Sequence, residues 1–353
     1  MTELIVTNLN RRFTGVSATA ARLIPLQTAR YDLAVAGHAL PGGPVPISLR
    51  VARRRMSAGR PFVIWHVRRN IEMRAALWTR DVLRRPIRIV FTTAGIRRHS
   101  AVPRWLMSRM DALIATTPAA AQGKPHLRAI VPHGVDCELW HPAADRPAAW
   151  AATGYPGRRG IACVGRIRPA KGTDQFVDAM LAVLPKHPDV TALIIGQARP
   201  SDAHFLDGLR AKIRTAGLAD RVVFTGEIAP DEMPALIRAC SLIVPLPRVE
   251  NYGMTPLEGM ASGVPFVGSD AGAFRTFAAN GAAGIIVDGP DLTAAASAQV
   301  NALLADPDRL GAMSRHARNL ATDRHSIRAE ADGIAEVYEA LWAEGSARDL
   351  SAS

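Results

Sequence analysis

Glu250 and Glu258 stand eight positions apart around Gly253-Met254-Thr255-Pro256, and no other stretch of the chain is as well placed to do chemistry. The apolar run 241–245 just before them reads as a buried strand. The segment 257–261 just after has helical composition, with Thr255 as the expected N-cap and Pro256 at the first helical position. A strand, a turn and a helix in that order put Glu250 in a loop at the strand's carboxyl end and Glu258 on the first turns of the helix. The N–H groups of Gly253, Met254 and Thr255 then face the crevice, where a helix N-terminus suits a phosphate. An ionised carboxylate only accepts hydrogen bonds and can take two O–H donors, which suits sugar hydroxyls. Phosphate beside polyol is the chemistry of a nucleotide-sugar.

A second element lies upstream. Residues 160–172 read as a buried strand, a turn carrying Gly165 and Arg166, and Lys171-Gly172 before a helix that starts near Thr173. A diphosphate leaving group needs cations already in place against its charge, and Arg166 and Lys171 are suited to that.

The Glu-x7-Glu pattern with this Gly-Arg…Lys-Gly element resembles the signature of the retaining glycosyltransferases of family 4. That resemblance implies the GT-B fold: two Rossmann-like, doubly wound parallel-sheet domains facing a central cleft. It implies that Arg166 and Lys171 clamp the donor diphosphate, that Glu250 binds a donor-sugar hydroxyl and stabilises the oxocarbenium-like state, and that Glu258 binds the ribose. It also implies that the loop with Glu227 and Ile228 holds the nucleobase, and that Gly15, after the first strand, lets backbone approach the donor. Elsewhere the family's loop at Gly15 is richer in glycine. A His in a position comparable to His66 contacts the donor sugar in related transferases, so His66 joins Glu250, Arg166 and Lys171 as an expected catalytic residue. The segment 132–136 resembles the family's Pro-x-Gly-Val-Asp element, here read as a turn that Asp136 caps. No metal or cofactor is expected; the nucleotide-sugar is a substrate, and the two cations would stand in for a metal's charge.

Length and charge are compatible with this reading. At 353 residues the chain is too long for one ordinary core. Domains are expected at 1–143 and 144–326, joined by a Pro- and Ala-rich linker at 141–149, with 327–353 as a helix crossing back to the first. Strand-like segments at 4–7, 33–36, 61–65, 87–92, 112–115 and 129–131, and again at 161–164, 192–195, 222–224, 242–244, 265–268 and 284–287, alternate with helical stretches, the pattern of parallel sheets. Three scattered cysteines argue against disulfides and a Cys-based metal site. No apolar run approaches the ~18 residues that span a bilayer, and no signal peptide is seen, so a cytoplasmic protein is expected.

The net charge of +12 comes entirely from the first part, where residues 1–143 hold 22 Lys and Arg against 7 Asp and Glu, while the rest of the chain is slightly acidic. Such a surface expects an anionic partner. Nucleic acid is disfavoured by the absence of any zinc-finger or RNA-binding signature and by an aromatic content of 5%. Arg11 and Arg12 after the first strand, and Arg68 and Arg69 after His66, are expected to meet acceptor carboxylates, which guanidinium binds bidentately. Clusters at Arg53-Arg54-Arg55 and Arg84-Arg85-Pro86-Ile87-Arg88 would favour anionic lipid. Stretches 64–73 and 97–100 look similar to bacterial lipopolysaccharide core mannosyltransferases. That similarity implies GDP-mannose as donor, an acidic inner-core sugar on a lipid A precursor as acceptor, and a peripheral place at the inner face of the inner membrane. A UDP-sugar donor for another envelope glycan, a GT-B-fold nucleotide-sugar epimerase and a non-catalytic sugar-nucleotide-binding module remain as alternatives.

Overall fold

The protein is described from a computed structural model covering residues 1–352, except Phe13, Ala58 and 97–99, with backbone alone for 348–352. Arg97, Arg98 and His99, which carried part of the resemblance, therefore lie outside the described residues. The chain divides into two compact units, one of Met1–Gly134 with Ile327–Ser353 and the other of Val135–Ser326.

Unit 1 holds strands β1 (Leu4–Asn8), β2 (Leu33–Gly37), β3 (Val63–Val67), β4 (Ile87–Thr93), β5 (Ala112–Ala115) and β6 (Leu127–Ile130). They pair in parallel in the order β2-β1-β3-β4-β5-β6. Helices α1 (Gly15–Arg30), α2 (Asn70–Leu77) and α3 (Ala101–Ser108) belong to this unit. Both faces of the sheet are covered, which is why its strands read as continuous apolar runs rather than as alternating ones. The two-residue period sorts their side chains: Leu4, Val6 and Ile64 join one core, Ile5, Val63, Trp65 and Val67 the other.

Unit 2 repeats the plan with β7 (Arg159–Val164), β8 (Val190–Ile195), β9 (Val222–Gly226), β10 (Cys240–Ile243), β11 (Phe266–Ser269) and β12 (Gly284–Val287). Their order is β12-β11-β10-β7-β8-β9. The helices that matter here are α4 (Arg146–Ala152), α5 (Thr173–Val183) and α6 (Met254–Ala261). Each sheet reverses direction once, between β1 and β3 in unit 1 and between β7 and β10 in unit 2. Open parallel sheets bind ligands off the strands' carboxyl ends at such a point.

The last helix, α7 (Ile327–Ala352), packs on unit 1. Its Ile334, Tyr338 and Trp342 enter the core beside Leu4 and Ile64. Trp342 donates its indole N–H to the Phe62 carbonyl at 3.0 Å, and the Arg60 guanidinium lies 4.3 Å over the indole.

The chain leaves unit 1 at Gly134, earlier than the expected boundary at 143. Val135 and Trp140 are buried in the second unit's core. The supposed linker 141–149 is part of that unit: Asp145 caps α4, Trp150 is buried, and Arg146 donates to the Gly263 carbonyl at 2.7 Å. Pro and Ala density suggested a linker there, but Pro147 sits in the first turn of a helix, where it is tolerated.

Candidate active site

In unit 2 the loops leaving β7 and β10 meet across the switch point. Lys171 ends a short 3₁₀ turn, and Gly172, at φ +67°, starts α5. A Cβ at Gly172 would run into the carbonyl oxygen of Leu246, so the two loops can approach only because this position is glycine. Arg248 fastens the contact from the other side with a bidentate pair to Asp174, at 2.7 and 2.6 Å.

Glu250 follows. Its Oε2 accepts from Lys171 Nζ at 2.6 Å, and its Oε1 takes the N–H of Asn251 at 2.9 Å. Next comes Gly253, the true cap of α6, at φ +98°. A side chain there would collide with the Phe274 ring. Thr255 was the expected N-cap, but the helix begins at Met254, so Thr255 and Pro256 lie within its first turn. The left-handed glycine, which a Ser/Thr-centred search for caps overlooks, turns the chain two residues earlier. Gly165, Lys171, Glu250, Gly253 and Thr255 together line one pocket, with Cys163, Pro245 and Phe274 behind them. Burial pushes the Cys163 thiol up to about 12, so it is a neutral wall and no nucleophile.

Five other expected donor residues of unit 2 do not line this pocket. Arg166 is exposed, beside Arg199 and Arg168; some desolvation and the repulsion of those two guanidinium groups lower its pKa, although it stays charged. Glu258 is buried one turn further along α6. Glu227 is exposed after β9, and Ile228 beside it packs partly on the core. Met254, whose amide was expected at the crevice, has its side chain against the same core.

Arg199, on the loop after β8, brings a further cation beside Arg166 that the sequence reading did not include. Glycines carry the carboxyl edge of this sheet: Gly165 donates to the Ile195 carbonyl and Gly196 to that of Gly226. Glycine at the end of a strand or directly after it, as at 226, 165 and 196, was the available signal.

Unit 1 corrects several expectations. His66 was expected at the end of its strand, but β3 runs on to Val67. Alternation points the His66 ring to the face that α7 covers, where it is fully buried. Its Nδ1 meets the Tyr338 hydroxyl and its Nε2 lies 2.7 Å from Thr92 Oγ1. Burial holds its pKa well below the ordinary value. A neutral ring that accepts from Tyr338 and donates to Thr92 satisfies both nitrogens, so His66 is a structural residue of the sheet.

Arg69 is committed too. It donates to Glu72 at 2.9 Å, to Ser17 at 2.8 Å, to Thr14 at 3.0 Å and to Asn8 at 3.2 Å. It joins the loop after β1 to the start of α2 and does not await an acceptor. Arg68 differs. Its backbone N–H is held by Glu72 at 2.7 Å, yet Nη1 and Nη2 are shut off from solvent and hydrogen-bond to nothing. Desolvation lowers its pKa, but a guanidinium remains charged at neutral pH. Arg11 and Arg12 are exposed. Gly15 is the first residue of α1; a Cβ there would meet open space, so packing does not require glycine.

Comparison with known proteins agrees with this geometry. The family described as "Glycosyl transferases group 1" matches residues 152–320. The chain is 39% identical over 345 residues to the lipopolysaccharide core biosynthesis mannosyltransferase LpsB of Rhizobium meliloti, covering 96% of this chain and 97% of that one. Among solved structures, the C-terminal domain of the group 1 glycosyltransferase LpcC from Francisella tularensis is 32% identical, with a TM-score of 0.53 over 55% of this chain and all of that one (100%). Anabaena HepE, solved with UDP and glucose, has a TM-score of 0.80 at 18% identity, over 96% of this chain and 100% of that one. The chain belongs to the group 1 glycosyltransferases and is an enzyme of glycosyl transfer. Its fold is the GT-B fold of those neighbours.

Proposed function

We propose that this enzyme transfers mannose from GDP-mannose, with retention and without a metal, to an acidic inner-core sugar of a lipopolysaccharide precursor. The observation that carries the donor half is the Lys171–Glu250 pair at the mouth of a pocket built from a glycine-capped helix N-terminus. An ammonium has three donors, so Lys171 can hold Glu250 and a phosphate oxygen together. Glu250 is then fixed beside the sugar while the cation faces the leaving group. Arg166 and the N–H groups at Gly253, Met254 and Thr255 supply further positive charge, Glu258 the ribose contact, and the Glu227–Ile228 loop the base.

In the reaction, the acceptor oxygen bonds to the anomeric carbon on the face that the phosphate leaves. The C–O bond to phosphate breaks, and the acceptor's proton passes to the departing phosphate. Lys171 and Arg166 offset the charge gathering there, which is the largest electrostatic demand of the step. Mannose and the inner-core acceptor are supported by the likeness to LpsB over nearly the whole chain. For the acceptor's acid group, the exposed Arg11 and Arg12 are at hand, and Arg68 joins them once the acceptor displaces what now shields its Nη1 and Nη2 from solvent. A buried guanidinium with idle donors is costly alone and well matched to a carboxylate. A lipid-linked acceptor also places the enzyme in the cytoplasm, peripheral to the inner membrane.

The test incubates the protein with GDP-mannose, UDP-glucose or UDP-N-acetylglucosamine and a Kdo-terminated lipid A precursor, with and without EDTA, and reads the product by mass spectrometry and anomeric NMR. The expected result is α-mannosyl transfer from GDP-mannose that survives EDTA and drops at least ~100-fold in Glu250→Ala. Transfer from a UDP-sugar alone would discard mannose, and loss with EDTA would discard metal independence.

A further inference from the structure

Of the six Trp residues in the chain, Trp65, Trp140, Trp150 and Trp342 are buried. The other two, Trp78 and Trp105, are 53% and 60% exposed, and both line one apolar groove on unit 1. The groove lies where α2 opens into a wide turn (Trp78–Val82) and meets α3; Leu77, Val82 and Leu106 add apolar wall, and Asp81, paired with Arg80 and Arg109, stands at its side with Arg74. Exposed Ile71 lies seven residues before Trp78 on the same stripe, and exposed Val102 lies one turn before Trp105. Leu83 adds a further exposed apolar side chain.

Charge surrounds this patch unevenly. Arg74 lines the groove, Arg84 follows Leu83 and Arg104 precedes Trp105; all three are exposed and none has a carboxylate partner among the described residues. The nearby acids are already engaged, Asp81 by Arg80 and Arg109, Glu72 by Arg69. Of the two clusters read from sequence as lipid-seeking, Arg88 is spent on Asp111. Three free guanidinium groups of unit 1 thus stand at or beside the tryptophans.

We propose that this face, through Trp78, Trp105 and Val82 with Arg74, Arg84 and Arg104, docks on an anionic lipid bilayer. Amphipathic indole rings settle at the headgroup level of a membrane, and each nearby Arg adds attraction to acidic lipid. A protein partner would have to match both a bare apolar groove and three unpaired cations; an acidic lipid surface offers both at once. The inference rests on the reading that the acceptor is lipid-linked, and its test is independent of turnover.

Co-sedimentation compares vesicles of phosphatidylcholine alone with vesicles containing phosphatidylglycerol, and quenching by brominated lipid reads the indoles. Wild type should bind the acidic vesicles at least tenfold better, weaken with salt, and lose Trp emission to bromine, since only Trp78 and Trp105 are accessible. The Trp78→Ser/Trp105→Ser variant should lose binding at least tenfold while its thermal melt and its donor binding stay unchanged. The Arg74→Gln/Arg84→Gln/Arg104→Gln variant should lose the preference for acidic lipid. Trp78→Phe/Trp105→Phe should still bind but escape quenching. Binding equal in wild type and the Ser variant, no binding to acidic vesicles, unquenched indoles in bound wild type, or a solution dimer that the Ser variant abolishes would each overturn the proposal. Any of these could occur with mannosyl transfer to a soluble acceptor intact.

Discussion

Lys171 and Glu250 were expected to face the ligand separately, one at the phosphate and one at the sugar; instead they hold each other at 2.6 Å. Half-buried pairs of this kind add little to stability by themselves, so the contact is better understood as positioning. Arg68 and His66 make the contrast at residue scale. They are two residues apart on one strand and its exit, yet one has idle donors and the other has none. Arg68→Gln should raise the acceptor KM at least ~10-fold with the donor KM little changed, since it removes one charged contact to the acceptor. His66→Gln should lower the melting temperature and leave both KM values near wild type. Steady-state kinetics with each substrate varied, alongside thermal melts, separates the two; an unchanged acceptor KM in Arg68→Gln would remove Arg68 from the acceptor site.

At the scale of elements, the site depends on two loops that touch through a glycine. Gly172 is in the left-handed region, and Leu246's carbonyl occupies the space a methyl group would need. Gly172→Ala therefore carries both a backbone and a steric cost, of roughly 2–4 kcal/mol together. Because the same contact sets Lys171 against Glu250, the variant should lose nucleotide affinity at temperatures where it is still folded, as calorimetry with GDP would show. Gly15→Ala is the control: open space surrounds that position, so stability should hardly change. A loss of donor affinity in Gly15→Ala would show that the ligand, and not the protein, requires glycine there.

For the whole molecule, buried histidines give the pH dependence. His66 in unit 1 and His325 in unit 2 are both held neutral; burial, then the nearby Arg324, lowers His325 from 6.5 to about 4. In an unfolded chain each takes up a proton near pH 6.5, so the unfolded state binds more protons below that point. Stability is thus complete above about pH 6.5 and falls as pH drops toward 4, by about 3 kcal/mol for His325 alone. The carboxylates of Asp81, Asp174 and Asp189 are lowered from 3.8, the first and last chiefly by hydrogen bonds from arginine, so their share is lost only at still lower pH. Thermal melts between pH 8 and 4.5 should show this slope, and His325→Gln should flatten it; an unchanged slope would place the titration elsewhere.

The strands were legible as apolar runs, because most are buried on both faces of a parallel sheet and need little beyond local composition to declare themselves; the edge strand β6 is largely exposed. The family was legible as well, since Glu250, Glu258, Arg166 and Lys171 keep their spacing whatever surrounds them. Local sequence could not say where the chain passes between units, because Val135 and Trp140 belong to a core that only distant segments complete. Nor could it say which charges are free. Arg68 and Arg69 are neighbours of one residue type; Asn8, Thr14 and Ser17 reach Arg69 from the far side of a strand crossing, and nothing reaches the tip of Arg68. His66 looked like an active-site histidine until α7, more than 260 residues further on, placed Tyr338 against it. Composition and spacing are local and survive in the sequence; burial and pairing are set by segments far apart along the chain, and exist only once those segments have packed.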